Sequence, residues 1–242
     1  MSLRDFFNSH KPKSTRGIFA DVLNQVQPGE EGIALDLCCG MGQLTELLSE
    51  QGYRAFGVDL ADYFIGAEGA AADGYTVADV NHLPFKTACA SLVCSVDSLQ
   101  YFADPGAVIH EIGRLLKPGG QLILSTQNNS NPAGGKKWLI KKLTGRDWSP
   151  WLLHPVENFV TYPWLIRTLE AEGFEVEVVR GKQFLTAWVS LLPGWLRHWS
   201  PWREKPWRSI ASIAGRIQFP DAIETSLLAR YAMIVLISAR KR

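Results

Sequence analysis

The segment at 33–42, IALDLCCGMG, constrains the fold of this chain more than any other. A short apolar run interrupted by Asp36 predicts a buried strand, and Gly40 and Gly42 follow it closely. Leucines at helical spacing come next, so a helix begins just after the glycines. Glycine lets the backbone approach a ligand, and a helix N-terminus offers free N–H groups and a partial positive charge. The segment therefore predicts a ligand site at the carboxyl end of the first strand of an open α/β sheet.

The spacing of the glycines separates two classes of ligand. A dinucleotide-binding turn, G-x-G-x-x-G, needs a third glycine where this chain has Thr45. Residues 36–42 read D-x-C-x-G-x-G instead. This resembles the first motif of class I S-adenosylmethionine-dependent methyltransferases, usually [D/E]-x-G-x-G-x-G, with Cys38 in place of the first glycine. An ordinary strand-to-helix turn without a ligand is the alternative for this stretch taken alone.

Two further acids stand where the same resemblance expects them. Asp59 is near the end of a second predicted strand, 54–60, and the resemblance implies that it accepts hydrogen bonds from the ribose hydroxyls. The alternative role for Asp59 is to cap the N-terminus of the helix that follows. Asp79 ends a third predicted strand, 75–80, and the sequence ADVNHLPF around it resembles the family's adenine loop. The cofactor contacts that the resemblance implies are Asp36, Cys38, Gly40, Gly42, Asp59, Leu60, Asp79, Val80 and Ser95.

The remaining strands complete the predicted sheet. Segments 91–96 and 121–126 flank a helix that Asp104 and Pro105 should open, and the run EIGRLLKPGGQLILST resembles this part of the family. Segments 174–180 and 231–239 are the last two predicted strands. The resemblance covers about 30–181 and 228–242. It implies a Rossmann-like α/β sheet of seven strands in the order 3-2-1-4-5-7-6, with strand 7 antiparallel and helices on both faces.

Residues 1–242 are expected to form a single domain with two insertions, 127–160 and 182–227. The second insertion has two apolar stripes at helical spacing, separated by the proline-rich PGWLRHWSPW. We expect two helices there and predict that both insertions form a lid on the acceptor side. Simple packing of the stripes against the domain is the alternative.

The residues that meet the methyl acceptor are harder to identify, because acceptor contacts differ with each substrate. His154 is the candidate base, since an imidazole takes a proton near neutral pH. A structural loop histidine is the alternative. Tyr101, Glu157 and Tyr162 are the candidate acceptor contacts.

Charge is distributed unevenly along the chain. Residues 1–135 carry a net charge of −7 and residues 136–242 carry +8, and all nine tryptophans fall in the second part. Tryptophan and arginine interleave in 182–216, as they do at membrane surfaces. No apolar run approaches the roughly 18 residues of a membrane span, and the first residues lack the apolar core of a leader. The four cysteines lack paired C-x-x-C spacing, so we expect no metal and a reducing cytoplasm.

Together these features predict transfer of a methyl group from S-adenosylmethionine to a small, lipophilic acceptor, with S-adenosylhomocysteine as product. A nicotinamide-dinucleotide oxidoreductase and a membrane-surface or partner-binding module are the alternatives. No nucleic-acid partner is expected, because the basic stretch contains no known nucleic-acid motif. The expected location is the cytoplasm, with peripheral membrane contact through 182–216. The oligomeric state stays open.

Overall fold

A computed structural model describes residues 17–27, 32–60, 74–145, 160–189, 191–192, 196 and 228–242. Seven strands form one sheet in the order β3-β2-β1-β4-β5-β7-β6. The strands are β1 Ile33–Leu37, β2 Arg54–Asp59, β3 Tyr75–Val77, β4 Ala90–Val96, β5 Leu116–Gln127, β6 Phe174–Lys182 and β7 Ile234–Lys241. The α-helices are α1 Ile18–Leu23, α2 Gln43–Glu50, α3 Pro105–Leu115, α4 Pro132–Thr144, α5 Tyr162–Ala171 and α6 Phe184–Val189.

The pairing of the strands confirms the predicted topology. β1 pairs in parallel with β2 on one side and β4 on the other, and β4 pairs in parallel with β5. β7 lies antiparallel between β5 and β6. Because the order reverses at β1 and β4, their carboxyl ends form the crevice where open α/β sheets bind ligands.

Apolar side chains cover both faces of the sheet. Val108 and Ile112 of α3 and Leu165 and Leu169 of α5 are fully buried on one face. Leu44 and Leu48 of α2 and Val22 of α1 are buried on the other. Central strands are apolar on both faces as a result, which is typical of parallel strands between helical layers.

Local signals in the sequence predicted most element ends well. Asp104 caps α3, because its Oδ1 accepts hydrogen bonds from the N–H groups of Gly106 and Ala107 at 2.9 and 3.1 Å. Several ends differ from the prediction; β7, for instance, runs from Ile234 to Lys241, where 231–239 was predicted. β3 stops at Val77, so Asp79 lies in the following loop rather than at a strand end. β5 begins at Leu116 rather than at residue 121, where the predicted strand starts, so it is longer at its amino end.

The two predicted insertions are described in part. The first contains α4 and the second begins with α6. The second helix predicted for 182–227 and its proline-rich link lie outside the described residues. None of the helices in the described part of the chain has the length and apolar character needed to cross a bilayer.

Candidate cofactor site

The turn after β1 is built from left-handed backbone. Cys38, Gly40 and Gly42 have φ values of 60°, 53° and 77°, and α2 begins directly afterwards at Gln43. The N–H of Cys39 donates to the carbonyl of Val58 at 3.0 Å, which fixes the turn against β2. A Cβ on Gly40 would meet no atom within 4 Å, so this side of the turn is open. The turn therefore leaves room for a ligand at Gly40.

Gly42 is a glycine for a different reason. A Cβ there would overlap the phenol ring of Tyr75, and a Cβ on Gly57 would come within 2.8 Å of the same ring. The Tyr75 hydroxyl donates to the Gly42 carbonyl at 3.2 Å. Gly42 and Gly57 thus make room for a side chain of β3. Sequence reasoning missed Tyr75, although a glycine inside the second strand was a signal that a side chain approaches there.

Cys38 stands where the family motif has glycine, and it adopts the conformation that glycine would adopt. A left-handed backbone costs a residue with a Cβ roughly 1–2 kcal/mol, so this turn holds local strain. Burial raises the pKa of the Cys38 thiol to about 12, with a further contribution from the charge of Asp59. The thiol is therefore neutral near physiological pH.

Asp59 at the end of β2 faces the glycine turn. Its Oδ2 accepts a hydrogen bond from the N–H of Gly40 at 2.9 Å, so the carboxylate lies beside the open side of the turn. The next residue, Leu60, is 71% exposed. The carboxylate and the apolar side chain are thus placed together at the same strand end, as the sequence predicted.

Asp79 lies in the loop after β3 and is exposed. Its Oδ1 accepts from the backbone and side-chain nitrogens of Asn81 at 2.9 and 2.8 Å, and the backbone bond is the main reason that its pKa is lowered. Val80 is buried in the core, with Leu83 beside it in the same cluster. A contact of Val80 with an adenine ring therefore stays a prediction.

Asp36 lies beneath the turn and is only 2% exposed. Its Oδ2 accepts from the hydroxyl of Thr45 at 2.8 Å, which ties β1 to α2. Burial raises its pKa to about 7, and the charge of Asp59 adds to the effect. In the described structure its contact is with Thr45, and its contact with the cofactor stays a prediction.

The end of β4 completes the crevice. Ser95 is fully buried, and its hydroxyl lies 2.6 Å from that of Ser98, which also contacts the thiol of Cys38. Between them Asp97 has a φ of 52°, a value that is uncommon outside glycine. Sequence reasoning passed over Asp97, because a single acid after a strand carries no signal of its backbone angle.

The predicted acceptor residues are only partly described. Tyr101 ends a 3₁₀ turn after β4 and is 40% exposed. The N–H of Tyr162 donates to Asn128 Oδ1 and Ser130 Oγ at 3.0 and 2.9 Å, and the guanidinium of Arg230 lies 5.6 Å from its ring centroid. His154 and Glu157 lie outside the described residues.

The chain is similar to known methyltransferases in sequence and in fold. Residues 35–124, from β1 into β5, match the Methyltransferase domain family. The chain is 28% identical over 160 residues to the ubiquinone biosynthesis O-methyltransferase of Idiomarina loihiensis, an alignment that covers 62% of this chain and 64% of that protein. With the enzyme of the same name from Xanthomonas oryzae pv. oryzae, identity is 27% over 195 residues, which are 76% and 71% of the two chains.

A solved structure supports the fold. The putative S-adenosylmethionine-dependent methyltransferase from Listeria monocytogenes superposes with a TM-score of 0.59 at 18% identity, covering 93% of this chain and 97% of that one. The match to the Methyltransferase domain family covers the glycine turn at the end of β1 and the first four strands of the sheet. The match at 35–124 and the order of the sheet therefore identify the class I methyltransferase fold in this chain, with the segment that matches the methyltransferase domain running from β1 into β5.

Proposed function

We propose that this protein transfers the methyl group of S-adenosylmethionine to a hydroxyl group of a small, lipophilic acceptor. The observation that carries the proposal is the open glycine turn at Gly40 with the Asp59 carboxylate bonded to it, inside the matched methyltransferase domain. The names of the curated relatives favour oxygen as the methylated atom and a small molecule as the acceptor. Since the alignment with the first relative covers 64% of that protein, its activity is carried over here only as a proposal.

The described residues fit the cofactor. Gly40 offers a backbone that a Cβ does not screen, and Asp59 offers a half-buried carboxylate for the ribose hydroxyls. Asp79, exposed in its loop, would accept from the adenine amino group, and Leu60 would cover the adenosine from the side. Cys38 and Ser95 would line the end of the crevice. When bound, S-adenosylmethionine supplies an electrophilic methyl group, and the protein's part is to orient the acceptor and exclude water.

The acceptor side of the proposal rests on the two insertions, 127–160 and 182–227, as a lid on the single domain 1–242. The described part supports this placement, since α4 follows the carboxyl end of β5 and lies beside α6. Tyr101 lies on the 3₁₀ turn that follows the carboxyl end of β4. Tyr162 is the first residue of α5, and its N–H is bonded to Asn128, just after the carboxyl end of β5. His154 as base and Glu157 as acceptor contact rest on the sequence alone.

The oxidoreductase alternative loses support at the third glycine position of the dinucleotide motif. Thr45 occupies that position, and its hydroxyl is buried against Asp36. A Cβ on Gly57 of β2 would come within 2.8 Å of that hydroxyl, so the helix approaches the strand through a side chain and not through the third glycine of the dinucleotide motif.

The test uses the purified protein with isotopically labelled S-adenosylmethionine and a panel of alkylated phenols and catechols. We expect label in an O-methyl product, with S-adenosylhomocysteine formed in equal amount. Matched alkylated anilines and thiophenols, which offer nitrogen and sulfur instead, serve as controls. Tight binding of NAD without binding of S-adenosylmethionine would contradict the family, and methylation of the anilines alone would contradict the choice of oxygen.

We further propose that α4 and α6 bring the protein to a membrane surface where a lipophilic acceptor dissolves. The α4 surface, as we name it, carries four lysines and three exposed apolar side chains and no acid: Lys136, Lys137, Lys141, Lys142, Trp138, Leu139 and Leu143. Trp138 is 53% and Leu143 is 74% exposed. Beside it, Trp188 of α6 is 48% exposed. A helix with lysines and exposed tryptophan and leucine suits the interface of an anionic bilayer.

Reversing charge on the α4 surface should weaken vesicle binding. Each basic residue near an anionic surface contributes about 1 kcal/mol, so Lys141→Glu with Lys142→Glu should lower the partition coefficient at least roughly thirtyfold. Co-sedimentation with phosphatidylglycerol-containing vesicles measures it. Lys86→Glu with Lys117→Glu, near the opposite edge of the sheet, is the matched control and should bind as the unaltered protein does. Equal loss in both variants would show that only net charge matters.

A further inference from the structure

Asp97 has an unusual backbone conformation for its place at the end of β4. Its φ is 52°, and its N–H is held by the carbonyl and the hydroxyl of Ser125 on β5, at 2.9 and 3.0 Å. Backbone strain of this kind persists where surrounding bonds over-determine it, and it concentrates at functional sites. Asp97 lies at the carboxyl edge of the sheet, directly after β4, and is exposed.

A buried chain of side chains fixes the Asp97 carboxylate. The amide of Gln100 donates to both the carbonyl and the Oδ1 of Asp97, each at 2.9 Å. The Oε1 of Gln100 in turn accepts from the hydroxyl of Thr126 on β5 at 2.9 Å. Gln100 and Thr126 are both fully buried. An exposed carboxylate held by a buried amide, which a second buried residue holds in turn, is preorganised in the way that a catalytic group requires.

The position of Asp97 relates it to the cofactor turn. The next residue, Ser98, contacts the thiol of Cys38 in that turn. β4 also pairs directly with β1, with Ser95 opposite Leu37. Asp97 therefore lies directly after β4, the strand next to the glycine turn, at the point where the strand order reverses.

Asp97 is the carboxylic acid at the end of β4, and the groups described next to it on the β1 and β5 sides carry no charge. Desolvation raises the pKa of Asp97, and the hydrogen bond from Gln100 opposes that rise. The thiols of Cys38 and Cys39 on the β1 side stay neutral because burial raises their pKa values. On the β5 side the residues are Ser125, Thr126 and Gln127, which carry no charge. Tyr101 is the titratable group on the turn that follows β4.

We infer that Asp97 is the catalytic base, which accepts the proton of the acceptor hydroxyl as the methyl group is transferred. Gln100 and Thr126 act as positioning residues that fix its carboxylate. This inference rests on the proposed O-methylation and names the residue that serves it.

The step balances without any further reactant. The acceptor oxygen forms a bond to the methyl carbon while the sulfur–methyl bond breaks and leaves its electron pair on sulfur. The proton of the hydroxyl moves to Asp97, which later releases it to water. The products are a methyl ether, S-adenosylhomocysteine and one proton.

Asp97→Asn is the discriminating variant. Asparagine tolerates the left-handed backbone and its Oδ1 still accepts from Gln100, so the fold should be retained. Loss of a general base should lower kcat about a hundredfold or more on the alkylated catechol that the unaltered protein methylates, with KM for S-adenosylmethionine unchanged. Asp104→Asn, a carboxylate seven residues away that only caps α3, is the matched control and should keep full activity.

A second measurement does not depend on turnover. 4-Nitrocatechol changes colour when it loses a proton, so its spectrum in the presence of S-adenosylhomocysteine reports the proton's position in the complex. We expect the spectrum of the bound nitrocatechol to change in Asp97→Asn relative to the unaltered protein, because the carboxylate that contacts its hydroxyl is neutralised, and to stay the same in Asp104→Asn. Gln100→Met should also move the acid limb of the pH–rate profile to higher pH by roughly half to one unit, because removal of its hydrogen bond raises the pKa of Asp97.

Several outcomes would overturn the inference. An Asp97→Asn protein with unchanged kcat and an unchanged nitrocatechol spectrum would show that the carboxylate only supports the turn. Loss of the acid limb in His154→Ala, with Asp97→Asn retaining it, would assign the proton to His154. If the unaltered protein methylates no hydroxyl acceptor, the proposed function and this inference both fail. Methylation that persists in Asp97→Asn refutes the inference alone.

Discussion

Asp36→Asn should stabilise the cofactor-free protein at pH 8 by up to about 4 kcal/mol, the energy equivalent of three pKa units. Asp36 is 2% exposed, and burial raises its pKa from 3.8 to about 7. At pH 8 the folded protein must keep a charged carboxylate in its interior. Asparagine has the same shape, can still accept from the hydroxyl of Thr45, and carries no charge.

The pH dependence of this effect has a definite sign. Because the folded-state pKa is raised, the folded protein binds a proton that the unfolded chain releases between about pH 4 and pH 7. The contribution of Asp36 to stability is therefore complete below about pH 4 and is lost as the pH rises through 7. The advantage of Asp36→Asn should vanish at pH 3.5 and grow to its full size at pH 8.

Urea unfolding of both proteins at several pH values measures the difference. Asp104→Asn is the control, since it replaces an exposed carboxylate with another good capping residue. Its difference in unfolding free energy from the unaltered protein should not change with pH. A stability gain for Asp36→Asn that is the same at pH 3.5 and pH 8 would contradict the buried charge as its cause.

Asp59→Ala should weaken cofactor binding by roughly 1–3 kcal/mol, about five- to 150-fold in Kd. Its carboxylate lies beside the open side of the turn and is bonded to the N–H of Gly40. Removing it would take away both the acceptor proposed for the ribose hydroxyls and a bond that shapes the turn. Calorimetric titration with S-adenosylmethionine and S-adenosylhomocysteine measures the loss.

Two variants separate these contributions. Asp59→Asn keeps an oxygen for the Gly40 N–H but removes the charge, so it should bind better than Asp59→Ala and worse than the unaltered protein. Asp79→Ala should have a smaller effect, mainly on analogues modified at the adenine, because Asp79 is exposed in its loop. Normal affinity in Asp59→Ala would remove this residue from the site, while thermal unfolding should change little in all three variants.

Sequence alone determined the features of this protein that depend on local patterns. The strand–turn–helix around Gly40, the acid at the end of β2 and the Asp104 cap of α3 each follow from residue types at short spacing. The order of the sheet followed from the family resemblance, because these strands are apolar on both faces and their order is not written in any one of them.

Only the tertiary structure decided which side chains from distant positions meet. Gly42 and Gly57 accommodate the ring of Tyr75, a contact across three segments that no short motif encodes. Asp36 proved to be a buried acid under the turn, since its burial depends on α2 packing over β1. The strained backbone of Asp97 and its link through Gln100 to Thr126 exist because β4 and β5 are neighbours in the sheet. Backbone angles and long-range hydrogen bonds are properties of the packed chain, so residue types alone could not predict them.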